Sequence, residues 1–198
     1  MGTTTLTMAE ALAEHLAESG LPPDGGDTER FVVVKPALLP YPIPNTAARK
    51  RAVKIHDLDH LVTGFETDRI GELEIAAWEL ASGGCQHYTA AWVLNLAGLV
   101  GGLTLAPRRV VRAYTLGRRQ QNLYAFPLEE LLVLTVDQAR ARVDSAPRRR
   151  TPVPLHLAGM VLLALPAGAA MAVAWWGLVP AWLISRRSAR PLGEVQTT

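Results

Sequence analysis

The sequence predicts an all-α protein: a helical bundle domain followed by a C-terminal hydrophobic helix of the transmembrane type. Two observations predict this fold. Apolar residues recur at helical spacing between helix caps and glycines, as in the series Ile70, Leu73, Ala77 and Leu80. Residues 157–185 then contain no charged side chain, and about 20 apolar residues are enough to span a bilayer.

Charge and cysteine content narrow the function classes. The chain of 198 residues has a formal net charge of +2, which is too small to predict nucleic acid as a partner. Its arginine clusters flank apolar segments and do not alternate with aromatic residues, a pattern that favours membrane lipid. The single cysteine, Cys85, excludes an intrachain disulfide, as is usual in a reducing compartment. The clusters lie at 108–109, 118–119, 148–150 and 186–187.

The chain begins with a short amphipathic helix and a linker, which together occupy residues 1–28. Thr7 and Glu10 form a capping-box pattern at the start of that helix, and Gly20 ends it. Residues 21–27 hold two prolines and two glycines, and this composition is typical of a linker.

The next segment contains one ambiguous element and one helix. Residues 31–34, FVVV, suit either a short strand or the start of an apolar helix. The prolines at 36, 40, 42 and 44 predict that residues 35–44 form no regular element. Asn45 is then expected to cap a helix that runs from residue 46 to about 61.

Two further helices are predicted from caps and composition. Thr67 or Asp68 caps a helix that ends at Ser82, before a pair of glycines. Residues 89–105 are uncharged and apolar. We expect them to form a buried core helix, with a membrane-embedded helix as the alternative.

The C-terminal half completes the bundle and adds a membrane segment. Residues 110–123 and 127–143 are predicted to be amphipathic helices, which complete a helical domain at residues 29–147. Residues 148–198 are expected to be a C-terminal membrane anchor and tail, because tryptophans and arginines stand at one end of the uncharged run. Pro166 predicts either a kink in the spanning helix or a re-entrant hairpin.

Residues 56–72, HDLDHLVTGFETDRIGE, are the main indication of function. His56 and His60 lie one helical turn apart on the same face, and Asp57, about 100° further round, borders that face. Glu72 falls on the next helix, after a glycine that breaks the periodicity. Two imidazoles with one or two carboxylates from an antiparallel helix pair are typical ligands of zinc or non-haem iron.

The same segment carries a family resemblance. The pattern His56-Asp57-x-x-His60, followed after eleven residues by Glu72, resembles the motif of the fourth protein of the coenzyme Q biosynthesis complex. The similarity includes that family's GY-x-TD-x-x-GE run and continues more loosely beyond it. Ser82 stands where the family often carries glutamine, and the C-terminal membrane segment is an addition. The other matching residues are Gly64, Phe65, Thr67, Asp68, Gly71 and the segments 114–117 and 127–130.

The resemblance implies a metal-dependent step of ubiquinone biosynthesis. The metal ligands it implies are His56, Asp57, His60 and Glu72, with Zn²⁺ as the expected ion and Fe²⁺ as the alternative. The implied activity is removal of the C1 carboxylate from a polyprenylated hydroxybenzoate, coupled with hydroxylation at that carbon, and organisation of the biosynthetic complex. The implied partners are a prenylated quinone precursor, membrane lipid and other ubiquinone-biosynthesis proteins, at the cytoplasmic face of a bacterial inner membrane.

Two other functions are compatible with these residues. A non-catalytic scaffold would present prenylated intermediates to partner enzymes and use the metal to hold two helices together. A metal-dependent phosphohydrolase would need further histidine and aspartate ligands, for which His15 and His87 are poor candidates. We expect His15 and His156 to be surface residues, and Cys85 and His87 to be non-ligands near a helix N-terminus.

The motif also contains candidates for supporting the two histidines. A metal-bound histidine usually directs its second ring nitrogen at a carboxylate or carbonyl. Asp59, Glu66 and Asp68 are the candidate acceptors, although Asp68 also suits a helix cap. Glu79 follows Glu72 by seven residues and faces the same way. This position is compatible with bordering the pocket, but we expect a solvated or salt-bridged role instead.

Overall fold

The computed structural model describes residues 6–18, 30–34, 41–145 and 151–188. Within these ranges the elements are helical apart from one two-stranded ribbon, which confirms the all-α prediction. The strands are β1 (Phe31–Val34) and β2 (Tyr41–Pro44), and a 3₁₀ turn spans Leu123–Ala125. The α-helices are α1 (Met8–Glu18), α2 (Ala47–Thr63), α3 (Arg69–Ser82), α4 (Thr89–Leu105), α5 (Pro107–Gly117), α6 (Leu128–Leu132), α7 (Val136–Asp144) and α8 (Val153–Ser188).

Several sequence predictions fall outside the described residues. They are the helix stop at Gly20, the linker at 21–27, the prolines at 36 and 40, and the arginine cluster at 148–150. The side chains of the arginines at 186–187 lie outside them as well.

Side-chain caps begin the helices that frame the bundle. The Glu10 N–H donates to Thr7 Oγ1 (3.2 Å) and the Thr7 N–H donates to the Glu10 carboxylate (2.8 Å), so the predicted capping box is confirmed. Asp68 caps α3 by accepting from the backbone N–H groups of Ile70 and Gly71 at 3.1 and 2.7 Å. Each cap satisfies donors that have no partner within the helix.

The start of α2 differs from the prediction by one residue. Thr46 caps the helix, because its Oγ1 accepts from the Arg49 N–H at 3.2 Å. The predicted cap, Asn45, instead accepts from the Arg49 guanidinium at 2.9 Å. Both side chains favour caps, and the backbone of the preceding ribbon decides which of them is in position.

The ribbon corrects the prediction that residues 35–44 form no regular element. Strand β2 contains Pro42 and Pro44 and pairs antiparallel with β1. The Asn45 N–H donates to the Arg30 carbonyl at 2.9 Å, and hydrogen-bonded and non-bonded pairs alternate along an antiparallel ladder. Pro42 and Pro44 therefore fall at the non-bonded pairs, where no N–H is required and proline is tolerated.

The two helices predicted at 110–123 and 127–143 are shorter than expected. α5 ends at Gly117, and the chain continues through turns to the 3₁₀ segment. The second prediction divides into α6 and α7 because Thr135 and Gln138 form another capping box, with bonds of 3.2 and 2.9 Å. The sequence signal for this break, T-x-x-Q, lies inside the predicted helix.

The central helix of the bundle is α3. It packs against α4 and α5 on one side, while Ile75 and Trp78 on another side join a core with α1, α2 and α7. Trp78 is fully buried, and its Nε1–H donates to Gln120 at 2.7 Å. The core between α3, α4 and α5 includes Ala77 and Leu80 of α3, Leu96 and Leu99 of α4, and Tyr114 of α5.

Helix α4 is buried on one face only, so the prediction of a fully buried core helix is wrong in part. Leu96, Leu99 and Gly102 face the bundle. Val100 and Leu105 are 40% and 51% exposed. An exposed apolar face on an uncharged helix is typical of a surface that contacts lipid, a ligand or another protein outside the bundle.

Helix α8 runs without a break for 36 residues, about 54 Å at 1.5 Å per residue. Its segment Val153–Ala170 has a mean hydropathy of 1.7 and no buried residue. By length and composition, this helix is long and apolar enough to cross a membrane. Pro166 and Pro180 lie inside it, and its continuity contradicts the re-entrant hairpin.

The first part of α8 also lies against the bundle. Its apolar side chains pack on the core formed by α3, α4 and α5. The Tyr114 hydroxyl hydrogen-bonds with His156 Nδ1, and Arg118 donates to the Thr151 carbonyl at 3.1 Å. The packed residues are Val153, Leu157, Met160, Val161, Ala164 and Ala167.

We predict that Gly117→Ala destabilises the bundle. A Cβ at this position would lie 2.5 Å from the Trp78 carbonyl oxygen and 2.9 Å from Ala81 Cβ, so α3 and α5 would have to separate at a cost of about 1–3 kcal/mol. Chemical denaturation in detergent measures this change.

Gly101→Ala is the matched control, because the nearest atom to its Cβ would be Leu73 Cδ2 at 3.7 Å. We expect this substitution to be neutral or to stabilise the helix by up to about 1 kcal/mol. Equal stability of the two variants would contradict the close α3–α5 packing.

Candidate metal centre

The candidate site lies between α2 and α3, where the chain reverses through residues 64–68. Gly64 ends α2 in the left-handed conformation (φ 72°), and its N–H donates to the His60 carbonyl at 2.8 Å. His60 meets Glu72 near this turn, while His56, one turn earlier, also reaches Glu79, two turns later. The two helices are therefore antiparallel at the site, as the sequence predicted.

Three predicted ligands meet at one point. His56 Nε2 lies 3.3 Å from His60 Nε2 and 3.3 Å from Glu72 Oε2, and His60 Nε2 lies 3.4 Å from Glu72 Oε1. An ion bound at about 2.0–2.1 Å places tetrahedral ligands roughly 3.3–3.4 Å apart. The group His56, His60 and Glu72 is thus spaced to hold a metal ion.

The other ring nitrogen of each histidine is already engaged. His60 Nδ1 lies 2.9 Å from the Phe65 carbonyl oxygen, which can only accept a hydrogen bond. His56 Nδ1 lies 2.8 Å from Glu79 Oε1. Both Nδ1 atoms therefore carry the hydrogen, and such bonds orient histidines that bind metals through Nε2.

This tautomer assignment leaves acceptors facing one another. In the neutral imidazoles, both Nε2 atoms present lone pairs, and the Glu72 carboxylate adds two acceptor oxygens. Three groups of acceptors at 3.3–3.4 Å repel one another unless a cation, either a proton or a metal ion, lies between them. The donor set therefore fits a bound divalent metal.

The charges at the site shift two pKa values. Burial lowers the pKa of His56, but the charges and hydrogen bonds of Glu79 and Glu72 outweigh it and raise this pKa well above the usual range. Burial raises the pKa of Glu72, but hydrogen bonds from His56 and His60 outweigh it and lower this pKa to about 2. Without a metal, His56 is therefore protonated at neutral pH and Glu72 is ionised.

Glu79 is completely buried, in contrast to the solvated alternative. Asn95 on α4 donates to its second carboxylate oxygen. Burial raises the pKa of the neighbouring Asp59 well above its usual range, and the Glu79 carboxyl group adds to this shift. Asp59 Oδ2 is buried and has no hydrogen-bond partner among the described residues.

Asp57, the fourth predicted ligand, is not in the group formed by the other three. On a helix, His56 and His60 align, whereas a residue one position later points about 100° away. Burial raises the pKa of Asp57, and the nearby imidazoles of His56 and His15 oppose this shift. The structure thus brings together three of the four predicted ligands and leaves the fourth coordination position without a protein ligand among the described residues.

His15 lies at the site, although we expected a surface residue. Its ring stacks against His60, with centroids 6.5 Å apart and planes inclined by 18°. A cleft of about 410 Å³ separates α1 from the turn after α2. His15, His60 and Thr67 line this cleft, so it gives access to the edge of the metal group.

Cys85, His87 and His156 were expected to lie outside the metal site, and His156 was also expected to be a surface residue. Cys85 is buried and accepts from the Asn95 amide at 3.1 Å, and His87 packs against Tyr88 at 4.1 Å between ring centroids. Neither belongs to the metal group found among the described residues. His156 is not a free surface residue, because it bonds to Tyr114.

The supporting residues were predicted less well than the ligands. None of the candidates Asp59, Glu66 and Asp68 holds an Nδ1 atom: Asp68 caps α3, and Asp59 accepts from the Leu123 N–H at 3.1 Å. The spacing of Glu79 from Glu72 was the available signal for its position. No local signal exists for His15 and Asn95, which reach the site through tertiary packing.

Comparisons with protein families, with curated proteins and with solved structures find no match in any of the three. A functional argument therefore depends on the motif residues and their geometry.

We predict that His60→Ala and Glu72→Gln each abolish metal retention, because each removes a ligand from a group with only three. Wild-type protein should retain about one ion per chain. Elemental analysis after dialysis measures the content.

Two variants serve as controls for this experiment. Glu74→Gln changes a carboxylate that lies on α3 with Glu72 but pairs with Arg109 (2.6 Å) and not with the histidines. Asp57→Asn tests the fourth predicted ligand. Both should retain the ion, and a full ion content in His60→Ala would contradict the site.

We also predict that metal binding at neutral pH releases a proton from His56. Its raised pKa requires the metal to displace this proton, so the metal affinity should increase with pH until that pKa is passed. Titration calorimetry in buffers of different ionisation enthalpy counts the protons released.

Glu79→Gln should reduce this release, because it removes the charge that raises the His56 pKa. It should also weaken metal binding by about 10–100-fold, as loss of a supporting carboxylate commonly does. Unchanged proton release in Glu79→Gln would contradict the assigned role of Glu79.

Proposed function

We propose that this protein is a metal-dependent enzyme of ubiquinone biosynthesis that removes the C1 carboxylate of a polyprenylated hydroxybenzoate. The observation that carries the proposal is the convergence of His56, His60 and Glu72, three of the four ligands that the family motif implies. The proposed ion is Zn²⁺, with Fe²⁺ as the alternative. The partners proposed are the prenylated precursor, membrane lipid and the other proteins of the biosynthetic complex.

The donor set supports a catalytic and not a purely structural metal. Structural zinc sites usually have four protein ligands, whereas catalytic sites keep one position for water or substrate. A bound divalent ion supplies Lewis acidity at that position, and Fe²⁺, unlike Zn²⁺, also supplies redox chemistry. His56, His60 and Glu72 leave such a position free among the described residues.

The surrounding side chains position the reaction. Glu79 and the Phe65 carbonyl hold the two imidazoles in the metal-binding tautomer. His15 lines the cleft beside His60 and offers a donor to the substrate carboxylate or phenol. Asn95 links Glu79 to α4, so the apolar exposed face of α4 is tied to the site and is suited to the prenyl chain.

The membrane location is part of the proposal. α8 is long and apolar enough to cross a bilayer, and we assign it as the anchor of a protein at the cytoplasmic face of a bacterial inner membrane. A membrane anchor that packs on the same bundle as the metal site suits a substrate whose prenyl chain dissolves in lipid. The exposed apolar residues on α8 include Leu162, Leu163, Leu165, Val173 and Trp176.

A non-catalytic scaffold is the second candidate. The exposed apolar faces of α4 and α8 favour it, because they suit the presentation of a prenyl lipid to another enzyme. In that case the metal holds α2 and α3 together, and loss of a ligand lowers stability without affecting any turnover.

We predict that the metal-loaded full chain releases carbon dioxide from a carboxyl-labelled prenylated hydroxybenzoate. The C1–carboxylate bond breaks in this step, and in simple decarboxylation a proton takes its place at C1. In the oxidative form the C1–oxygen bond is made with the oxygen of water, and dioxygen takes up the two electrons and two protons as hydrogen peroxide, so that the acid, water and dioxygen give the phenol, carbon dioxide and hydrogen peroxide. Carbon dioxide release and oxygen consumption are therefore measured together, for protein loaded with Zn²⁺ and with Fe²⁺.

His60→Ala should lose the activity, and Glu74→Gln should retain it. Carbon dioxide without oxygen consumption indicates simple decarboxylation, and both together indicate the oxidative reaction. Metal binding with no turnover under either loading would contradict the enzyme and favour the scaffold.

A further inference from the structure

We propose that the outward surface of α5 docks the bundle onto an anionic membrane surface. This surface, here called the α5 face, consists of Arg108, Val111, Arg112 and Leu116 of α5 and of Arg119 in the turn that follows it. All five side chains are exposed and line one wide cleft of about 1240 Å³ on the side of the bundle. The inference goes beyond the proposed reaction and does not require a metal.

The α5 face combines cations with apolar side chains on one side of a helix. Val111 and Leu116 are 38% and 40% exposed, while Val110 and Tyr114 on the opposite side are completely buried. A helix fully committed to the core on one side has no packing reason to expose aliphatic residues on the other. Exposed aliphatic residues between arginines are typical of helices at a lipid interface.

The arginines of the α5 face have no ion-pair partner among the described residues. Other surface arginines do: Arg51 pairs with Glu129 at 2.7 Å and Arg109 with Glu74 at 2.6 Å. Two carboxylates line the cleft, Glu66 and the Glu74 that pairs with Arg109. The face therefore has a net positive charge, which is complementary to anionic headgroups.

The helix that carries the α5 face contacts the proposed membrane anchor through residues outside that face. Arg118, next to Arg119, donates to the Thr151 carbonyl, and Tyr114 bonds to His156 in the first turn of α8. The start of the anchor is thereby attached to the end of α5. At the other end of α5, a single residue separates it from Leu105, which is 51% exposed.

Helix geometry places this junction close to the bilayer. A span of about 20 residues that ends at Ile184 begins at Leu165. The rise from His156 to Leu165 is then about 14 Å. Because the headgroup layer occupies roughly 5–7 Å of that distance, an arginine at the end of α5 is within reach of the headgroups. Docking would also cover the exposed apolar side chains.

The test uses the full chain in lipid nanodiscs with fluorescent labels on single introduced cysteines. Cys85 is buried and its thiol pKa is raised by burial, so it does not compete for the label. Thr115→Cys reports on α5, Leu165→Cys reports on α8 insertion, and Glu14→Cys on α1, outside the α5 face, is the control. Lipid-borne quenchers then detect contact with phosphatidylcholine alone or mixed with phosphatidylglycerol.

We expect the label at position 115 to be quenched in the anionic discs, and much less in neutral discs or at high salt. Arg112→Glu/Arg119→Glu should lower the ratio of docked to undocked protein by roughly fivefold or more for each arginine. The matched control Arg30→Glu/Arg69→Glu, at two exposed arginines outside the α5 face, should leave this ratio unchanged.

Equal quenching at position 115 in neutral and anionic discs would overturn the proposal. So would quenching that the α5 variant leaves unchanged, which would assign the arginines to a soluble anion or an acidic protein. Absence of quenching at position 165 contradicts α8 insertion only, since the label on α5 still reports docking. The metal content of the arginine variants should equal that of wild type, which separates this test from the proposed enzyme.

Discussion

The buried carboxyl group of Glu79 is the constraint on which the site and much of the bundle depend. A carboxylate with no solvent exposure is unfavourable unless hydrogen bonds and opposite charge compensate it. His56 from α2 and Asn95 from α4 form hydrogen bonds with this carboxyl group. Because these partners come from separate helices, satisfying one carboxylate fixes α2, α3 and α4 relative to one another.

The same compensation creates the metal-binding property. Glu79 and the Phe65 carbonyl occupy both Nδ1 atoms, so both Nε2 lone pairs point at the Glu72 carboxylate. The repulsion among these acceptors is relieved by a cation. Protons compete for this position through His56, and the affinity for a metal is therefore linked to pH. The hydrogen bonds at the two Nδ1 atoms therefore both orient the histidines and make the site favourable for a cation.

The bundle and the long C-terminal helix share a surface. The part of α8 that is most apolar is also the part that packs on α4, and the remaining apolar segment, Ala172–Ile184, is only 13 residues long. A span needs about 20 residues, so a span that includes this segment also includes part of the segment that packs on the bundle. The exposed apolar face of α4 and the basic α5 face lie on helices that contact or adjoin this span.

The sequence by itself determined what depends on nearby residues: the helices and most of their caps, such as Asp68, and the pair of His56 and His60 on one helical face. These features follow from periodicity and short-range hydrogen bonds. Local reasoning failed where a partner was distant in sequence, as for the prolines of β2, whose pairing with β1 makes them compatible with a strand. Only the tertiary structure showed that Glu79 supports His56, that His15 lies at the site and that one face of α4 is exposed. The reason is that packing between helices determines which side chains are removed from water and therefore need hydrogen-bond partners.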